Sequence, residues 1–262
     1  MGCCSSRNLT TPEDHLVLIE NSFGFHSISA ADFDNLSHKF NRDMKVSIQQ
    51  FEVLCKKLKI DEKTPGHAFL MLFYDEKGKN IDTQILTTIG ILFGSGEIDE
   101  KLNLLFKNYD IDISGIVDKA EINKMVSEII TISIDYVCMY SRIRVPESYI
   151  IPLNEYANEL KTGKSIMISV YTMNILKDRD AVTFAQFAKE FRDSSISILL
   201  SPHKIRTIGQ DIIKNLLVLA KKANLVVEND IKINTSIARR LSARVSKKQR
   251  RKELKKFRTS GS

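Results

Sequence analysis

The chain has 262 residues, 43% of them apolar, with 39 Lys or Arg against 32 Asp or Glu. That is enough to bury a real core in one or two compact domains. No run of 18 apolar residues occurs, and the longest apolar windows, such as 85–93, are broken by Thr and Gly. A membrane-spanning helix is therefore not expected, and the basic and apolar regions of a secretory signal are missing from the N-terminus.

The chain opens Met-Gly-Cys-Cys-Ser-Ser-Arg. This fits the N-myristoylation pattern, with Gly2 as the acceptor once Met1 is removed and Ser6 at the required position. Cys3 and Cys4 stand beside it as thioesterification (palmitoylation) sites. One myristoyl chain holds a bilayer only marginally, with an association constant of roughly 10⁴ M⁻¹, so a second anchor matters. The polar stretch through Asp14 reads as a linker, and residues 1–27 as an acylated segment plus linker. Only Cys55 and Cys138 remain besides the adjacent pair, a poor layout for a disulfide framework, and both lie on apolar stripes. A reducing compartment, and so the cytoplasmic face of a membrane, is expected.

Segments 30–40 and 67–74 are helix-like, and each runs into a polar loop whose meaning becomes clear from a third. Leu102, Leu105, Phe106 and Tyr109 recur at helical spacing and lead into Asp-Ile-Asp-Ile-Ser-Gly-Ile-Val-Asp-Lys-Ala-Glu at 110–121. An EF-hand loop draws oxygens from positions 1, 3, 5, 7, 9 and 12 around Ca²⁺. Asp110, Asp112, Ser114, the Ile116 carbonyl, Asp118 and Glu121 fill them, with Glu121 as the bidentate carboxylate. Gly115 takes the sixth position, where the chain turns sharply. Val117 stands where a side chain packs inward while its backbone pairs with a partner loop. Ile122, Met125, Val126 and Ile129 continue an apolar face beyond.

The same grammar recurs in faded form. Val46, Ile81 and Val182 take the packing position of loops over 39–50, 74–85 and 175–186. Lys39, Tyr74 and Ile175 occupy the first ligand position, and Gln50, Ile85 and Gln186 the twelfth. None offers a carboxylate there, so these three are expected to be structural hands without a cation.

The 67–130 stretch, above all Ile-Leu-Phe-Gly-Ser-Gly-Glu-Ile-Asp-Glu-Lys-Leu-Asn-Leu-Leu-Phe-Lys-Asn-Tyr-Asp over 91–110 and the loop beyond it, resembles the neuronal calcium sensor and calcineurin regulatory-subunit group of four-EF-hand proteins. The Met-Gly start belongs to the same resemblance, which is strong in the third hand and weak elsewhere. It implies Ca²⁺ binding, an apolar groove that opens or rearranges, and regulation of an effector protein. The chain departs from the group in keeping ligands in one hand only and in carrying a long C-terminal extension.

In that extension Ile205, Ile208, Ile212, Leu216, Leu219 and Ala223 are spaced for one apolar helix face. Between Arg239 and Arg258 there are eleven Lys or Arg and one acid, Glu253, a segment charge of +10. With +7 overall, the rest of the chain carries −3. A basic tail favours anionic lipid by about 1 kcal/mol per basic residue near the surface. Ser242 comes directly after Arg239-Arg240-Leu241 as in basophilic kinase sites, and phosphate there would weaken that contact. Nucleic acid is not the expected partner, because the tail has only Phe257 for stacking.

Gly163-Lys164-Ser165 ends like a phosphate-binding loop, but Asn158 stands where the first Gly belongs. No grouping of nucleophile, base and orienting residue is visible, so no enzyme is expected. The chain therefore reads as all-α, with EF-hand pairs over 28–95 and 96–196, a helix over 197–236 and a basic tail over 237–262. The expected function is a membrane-anchored Ca²⁺ sensor with one site, acting on an effector protein or target helix. The alternative is a constitutive membrane adaptor in which a cation merely stabilises one loop.

Overall fold

A computed structural model describes residues 11–39 and 44–215. The chain divides into a compact unit, Met1–Ile213, and a second, Lys214–Ser262, which lies almost wholly outside the described residues. The first unit is mostly helical, with two small sheets.

The stretch expected to be a linker is instead helix α1 (Pro12–Ser22) from its twelfth residue onward. Its start is set by local chemistry. Thr11 caps it, Pro12 supplies a helical φ at the first position, and Asp14 closes a capping box with Thr11. Leu16 and His15 are buried, and the helix packs on later elements of the chain.

Four strand-to-helix steps then share one plan. Helix α2 (Ala30–Lys39) precedes strand β1 (Lys45–Ser47) and α3 (Ile48–Lys57). Helix α4 (Pro65–Leu70) leads through a 3₁₀ turn to β2 (Tyr74–Asp75), β3 (Asn80–Asp82) and α5 (Thr83–Phe93). Helix α6 (Ile98–Tyr109) precedes β4 (Ile116–Asp118) and α7 (Lys119–Thr131). A π-helical turn at Ile132–Tyr136 joins α7 to α8 (Val137–Ser141). Last come α9 (Glu147–Leu176), β5 (Ala181–Thr183), α10 (Phe184–Phe191), the short α11 (Ser194–Ser197) and α12, residues 202–215.

The strands pair antiparallel at the residues marked as packing positions. Val46 stands opposite Ile81, and Val117 opposite Val182. All four are buried, so each pairing also closes a piece of core. The 74–85 loop adds a feature that its sequence did not announce. Tyr74 pairs with Ile81 and Asp75 with Asn80, so the loop folds into a hairpin and its sheet runs β1-β3-β2. The Asp75 carboxylate accepts the Lys77 and Gly78 amides at 3.0 Å each and satisfies the turn from within.

One core runs through the whole unit. Phe23 stacks on Phe69 with ring centroids 4.3 Å apart, and Phe93 and Tyr140 meet Phe23 edge-on. Residues from the N-terminal segment, α5 and α8 therefore share a single aromatic cluster. Cys55 and Cys138 are buried in the core as unpaired thiols, and burial pushes them up to about 12 and about 11, away from any nucleophilic form.

Helices α2 and α5 approach closely at Gly90. A Cβ on Gly90 would lie 2.3 Å from Cβ of Phe33 and 2.4 Å from its Cγ. Alanine normally gains about 1 kcal/mol over glycine inside a helix. Here overpacking wins, and Gly90→Ala is expected to destabilise the fold by about 1–3 kcal/mol in urea unfolding. A stabilised variant would mean that α2 and α5 do not approach so closely.

Candidate functional site: the 110–121 loop

Asp110 ends α6 and faces into the loop beyond it. Its Oδ1 accepts the Ser114 amide at 2.9 Å and the Ser114 hydroxyl at 3.2 Å, while Oδ2 accepts the Gly115 amide at 3.0 Å. Asp112 Oδ1 also accepts the Ser114 amide, at 3.1 Å. The Ser114 side chain first, and its backbone N–H second, draw the Asp112 carboxyl below its usual value. The Ser114 hydroxyl also lies 3.0 Å from the Ile116 carbonyl. Oxygens of Asp110, Ser114 and Ile116, three of the six expected ligands, thus cluster about one hydroxyl.

The backbone geometry fits the expected turn. Gly115 has φ +77°, and a Cβ there would meet no atom but would be strained by the dihedral itself. Two other loops keep this geometry without glycine. Met44 (φ 57°) and Lys79 (φ 53°) occupy the sixth position of 39–50 and 74–85. The left-handed turn before the strand persists there although an ordinary side chain must bear its cost.

Asp118 and Glu121 are placed differently. Asp118 caps α7: its Oδ1 accepts the Glu121 amide at 2.8 Å, and Glu121 Oε2 accepts the Asp118 amide at 2.9 Å. Glu121 is therefore engaged in a capping box rather than drawn in beside Asp110. Among the described residues, no three His, Cys, Asp or Glu side chains stand together as a metal site. The donor set suits a hard divalent cation in chemistry, and oxygens of Asp110, Ser114 and Ile116 converge in geometry. Glu121 is held in the capping box with Asp118.

The same box explains two residues that counted only as lost ligands. Gln50 and Gln186 close capping boxes with Ser47 and Thr183, starting α3 and α10. The signal was present in sequence, since Ser or Thr with Gln three residues later marks a helix start.

Behind the loop lies a buried polar network that periodicity could not reveal. The Tyr109 hydroxyl donates to Glu128 Oε2 at 2.5 Å and lies 3.1 Å from the Thr88 hydroxyl. The Asn108 amide donates to the Gln84 carbonyl (2.9 Å) and Thr88 (3.1 Å), and the Gln84 amide returns a bond to the Asn108 carbonyl (2.6 Å). Burial raises both Tyr109, well above its usual value, and Glu128. These bonds fix the end of α6, and hence Asp110, against α5 and α7.

The apolar face expected on the last helix is rotated. Ile205 and Ile213 are buried, but Ile208 and Ile212 are only half-buried, because the inward face is shared by Arg206 and Gly209. Gly209 lies against Leu160 and Met167, and Gly163 against Ile213. The glycine of the apparent phosphate-loop ending is thus a close helix contact.

Gly2, Cys3, Cys4 and Ser242 lie outside the described residues, as do the basic tail and Leu216, Leu219 and Ala223. No described helix is long and apolar enough to cross a membrane. Comparison with protein-family models and with curated proteins finds no match.

Proposed function

We propose that this chain is an EF-hand protein with two pairs of hands, that it binds one Ca²⁺ in the 110–121 loop, and that it regulates an effector protein at the cytoplasmic face of a membrane. The observation that carries this reading is the convergence of the Asp110, Ser114 and Ile116 oxygens beside a left-handed Gly115. The antiparallel Val117–Val182 contact and the sixth-position turns at Met44 and Lys79 support the paired-hand reading.

Asp110, Asp112, Ser114, the Ile116 carbonyl, Asp118 and Glu121 would hold the ion, whose double charge such oxygens balance. Drawing the Glu121 carboxylate inward exchanges its bond to the Asp118 amide for ligation and pulls on the first turn of α7. The far end of α7 carries Glu128, bonded to Tyr109. A shift of α7 thus loads the buried network that joins α6 to α5, a route from the loop to the first pair of hands. The Met-Gly-Cys-Cys start and the basic tail support the membrane attachment, through acyl chains on Gly2, Cys3 and Cys4 and through anionic lipid.

Calorimetric titration of the non-acylated full chain in physiological Mg²⁺ tests the site. The expected result is one Ca²⁺ per chain, bound without cooperativity at about 10⁻⁷ to 10⁻⁵ M. No heat at sub-millimolar Ca²⁺ would overturn the sensor. The adaptor reading has one observation in its favour, since the β4–β5 sheet is already complete alongside a closed Asp118–Glu121 box. Ca²⁺-dependent binding of an apolar dye supports the sensor, and dye binding indifferent to Ca²⁺ supports the adaptor.

A further inference from the structure

The fourth loop, 175–186, has Ile at its first position and Gln at its twelfth, yet it is tightly held. Arg179, its fifth residue, turns its guanidinium back into the loop. Nε donates to the Leu176 carbonyl at 2.7 Å, and Nη2 donates to the Ile175 carbonyl at 3.1 Å and to Glu190 Oε1 at 2.9 Å. Ile175 and Leu176 are the last residues of α9, so their carbonyls are the negative end of a 30-residue helix. Glu190 lies on α10, almost wholly buried, and its other oxygen meets the Lys177 ammonium. Burial alone would raise the Glu190 carboxyl, but the bonds from Lys177 and Arg179 outweigh it and keep the group ionised. A positive charge inside this loop therefore bridges the end of the entering helix and the body of the exiting one.

Residues 180–183, directly after Arg179, are the partner of the candidate cation loop. The Asp180 carbonyl accepts the amide of Lys119, the first residue of α7, at 2.9 Å. Ala181, Val182 and Thr183 then pair with Asp118, Val117 and Ile116. Two oxygen ligands of the proposed site, the Ile116 carbonyl and Asp118, thus sit on a strand whose neighbour in its two-stranded sheet begins two residues after Arg179.

We infer that Arg179 is a tethered cation that keeps the fourth loop closed without metal, and that it acts as a positioning residue for Ca²⁺ in the 110–121 loop. The inference rests on the reading of 110–121 as a cation site. Its geometry asks for arginine in particular. A planar fork reaches two carbonyls and a carboxylate at once, whereas a lysine ammonium in the same place keeps only part of the set. It also accounts for a hand pair with a single ligand-bearing loop, because the partner loop brings its own positive charge.

The test compares the full chain with Arg179→Ala, Arg179→Lys and Glu190→Gln in two measurements. In amide hydrogen exchange, Arg179→Ala is expected to speed the Lys119 amide and the 116–118 segment while leaving 45–47 and 80–82 unchanged. In Ca²⁺ titration, Arg179→Ala is expected to weaken binding by about tenfold at unchanged stoichiometry, within the usual range of coupling between sites. Glu190→Gln should move both readings the same way, and Arg179→Lys should fall between. Wild-type exchange and affinity in Arg179→Ala would overturn the proposal and leave the arginine a surface ion pair. Equal acceleration in both sheets would also overturn it, since that is general loss of stability. If the wild-type chain takes up no Ca²⁺, the cation-site reading fails with it, while the exchange measurement alone still decides whether Arg179 holds the loop pair.

Discussion

Arg206→Leu is expected to cost about 3–5 kcal/mol, a large part of the roughly 5–15 kcal/mol that holds a domain of this kind together. Arg206 on α12 is fully buried, and all three of its guanidinium nitrogens are used. Nε and Nη2 bind the Glu13 carboxylate at 2.9 and 2.7 Å. Nη1 binds Glu20 at 2.6 Å and the Ser133 carbonyl, inside the π-helical turn, at 3.0 Å. Burial alone would favour the neutral form, but the two carboxylates hold the group charged. Glu13 and Glu20 are seven residues apart on α1 and share one face, so loss of the arginine leaves two poorly solvated carboxylates without their common cation. Tyr156 and His203 also bond to Glu13, at 2.6 Å each.

Urea unfolding of the variant should show a much lower midpoint at a similar slope. The triple variant Arg206→Leu, Glu13→Leu, Glu20→Leu should recover much of the loss, because removing a whole buried ion cluster costs far less than breaking it. A single variant within 1 kcal/mol of the parent would show that the cluster is solvated and carries little.

The second large effect is on ligand binding rather than folding. On the proposed reading of the 110–121 loop, Glu121→Gln is expected to weaken Ca²⁺ binding by about a hundredfold or more, out of the range of sensor sites. The change removes the anionic oxygen pair but not the helix start, since Gln serves as well as Glu at the third position of a capping box. Thermal unfolding without Ca²⁺ should therefore be nearly unchanged in Glu121→Gln. Glu121→Ala should lose both functions, with a further cost of about 0.5–2 kcal/mol for the cap. If Glu121→Gln binds Ca²⁺ like the parent, the residue is a cap alone and the ion, if bound, sits elsewhere.

Local chemistry made the strand partners legible. Val46, Ile81, Val117 and Val182 were each placed by counting positions along a twelve-residue frame, and they pair in that arrangement. The mostly helical character came from apolar spacing in the same way. Two features were written locally but overlooked: the Thr11-Pro12-Asp14 start of α1, and the Ser47–Gln50 and Thr183–Gln186 boxes. The hairpin over 74–85 was hidden because β2 is only two residues long. Arg206 was beyond reach for another reason. Its partners lie 193 and 186 residues away, and a helical count assigns any arginine to the solvent face. The Asn108–Gln84 and Tyr109–Glu128 bonds share that long-range character.

The recurrence of one helix-start device has a consequence for how the molecule assembles. A capping box asks for a hydrogen-bond acceptor at its third position and is indifferent to whether that acceptor is charged. Helices α3 and α10 start on Gln, α7 on Glu, and α5 on Asp82 alone. Each of these helices therefore carries its own start signal, although its stability comes from packing. Helices α3 and α10 thus start on neutral acceptors, whereas the starts of α5 and α7 rest on carboxylates and weaken when those are protonated.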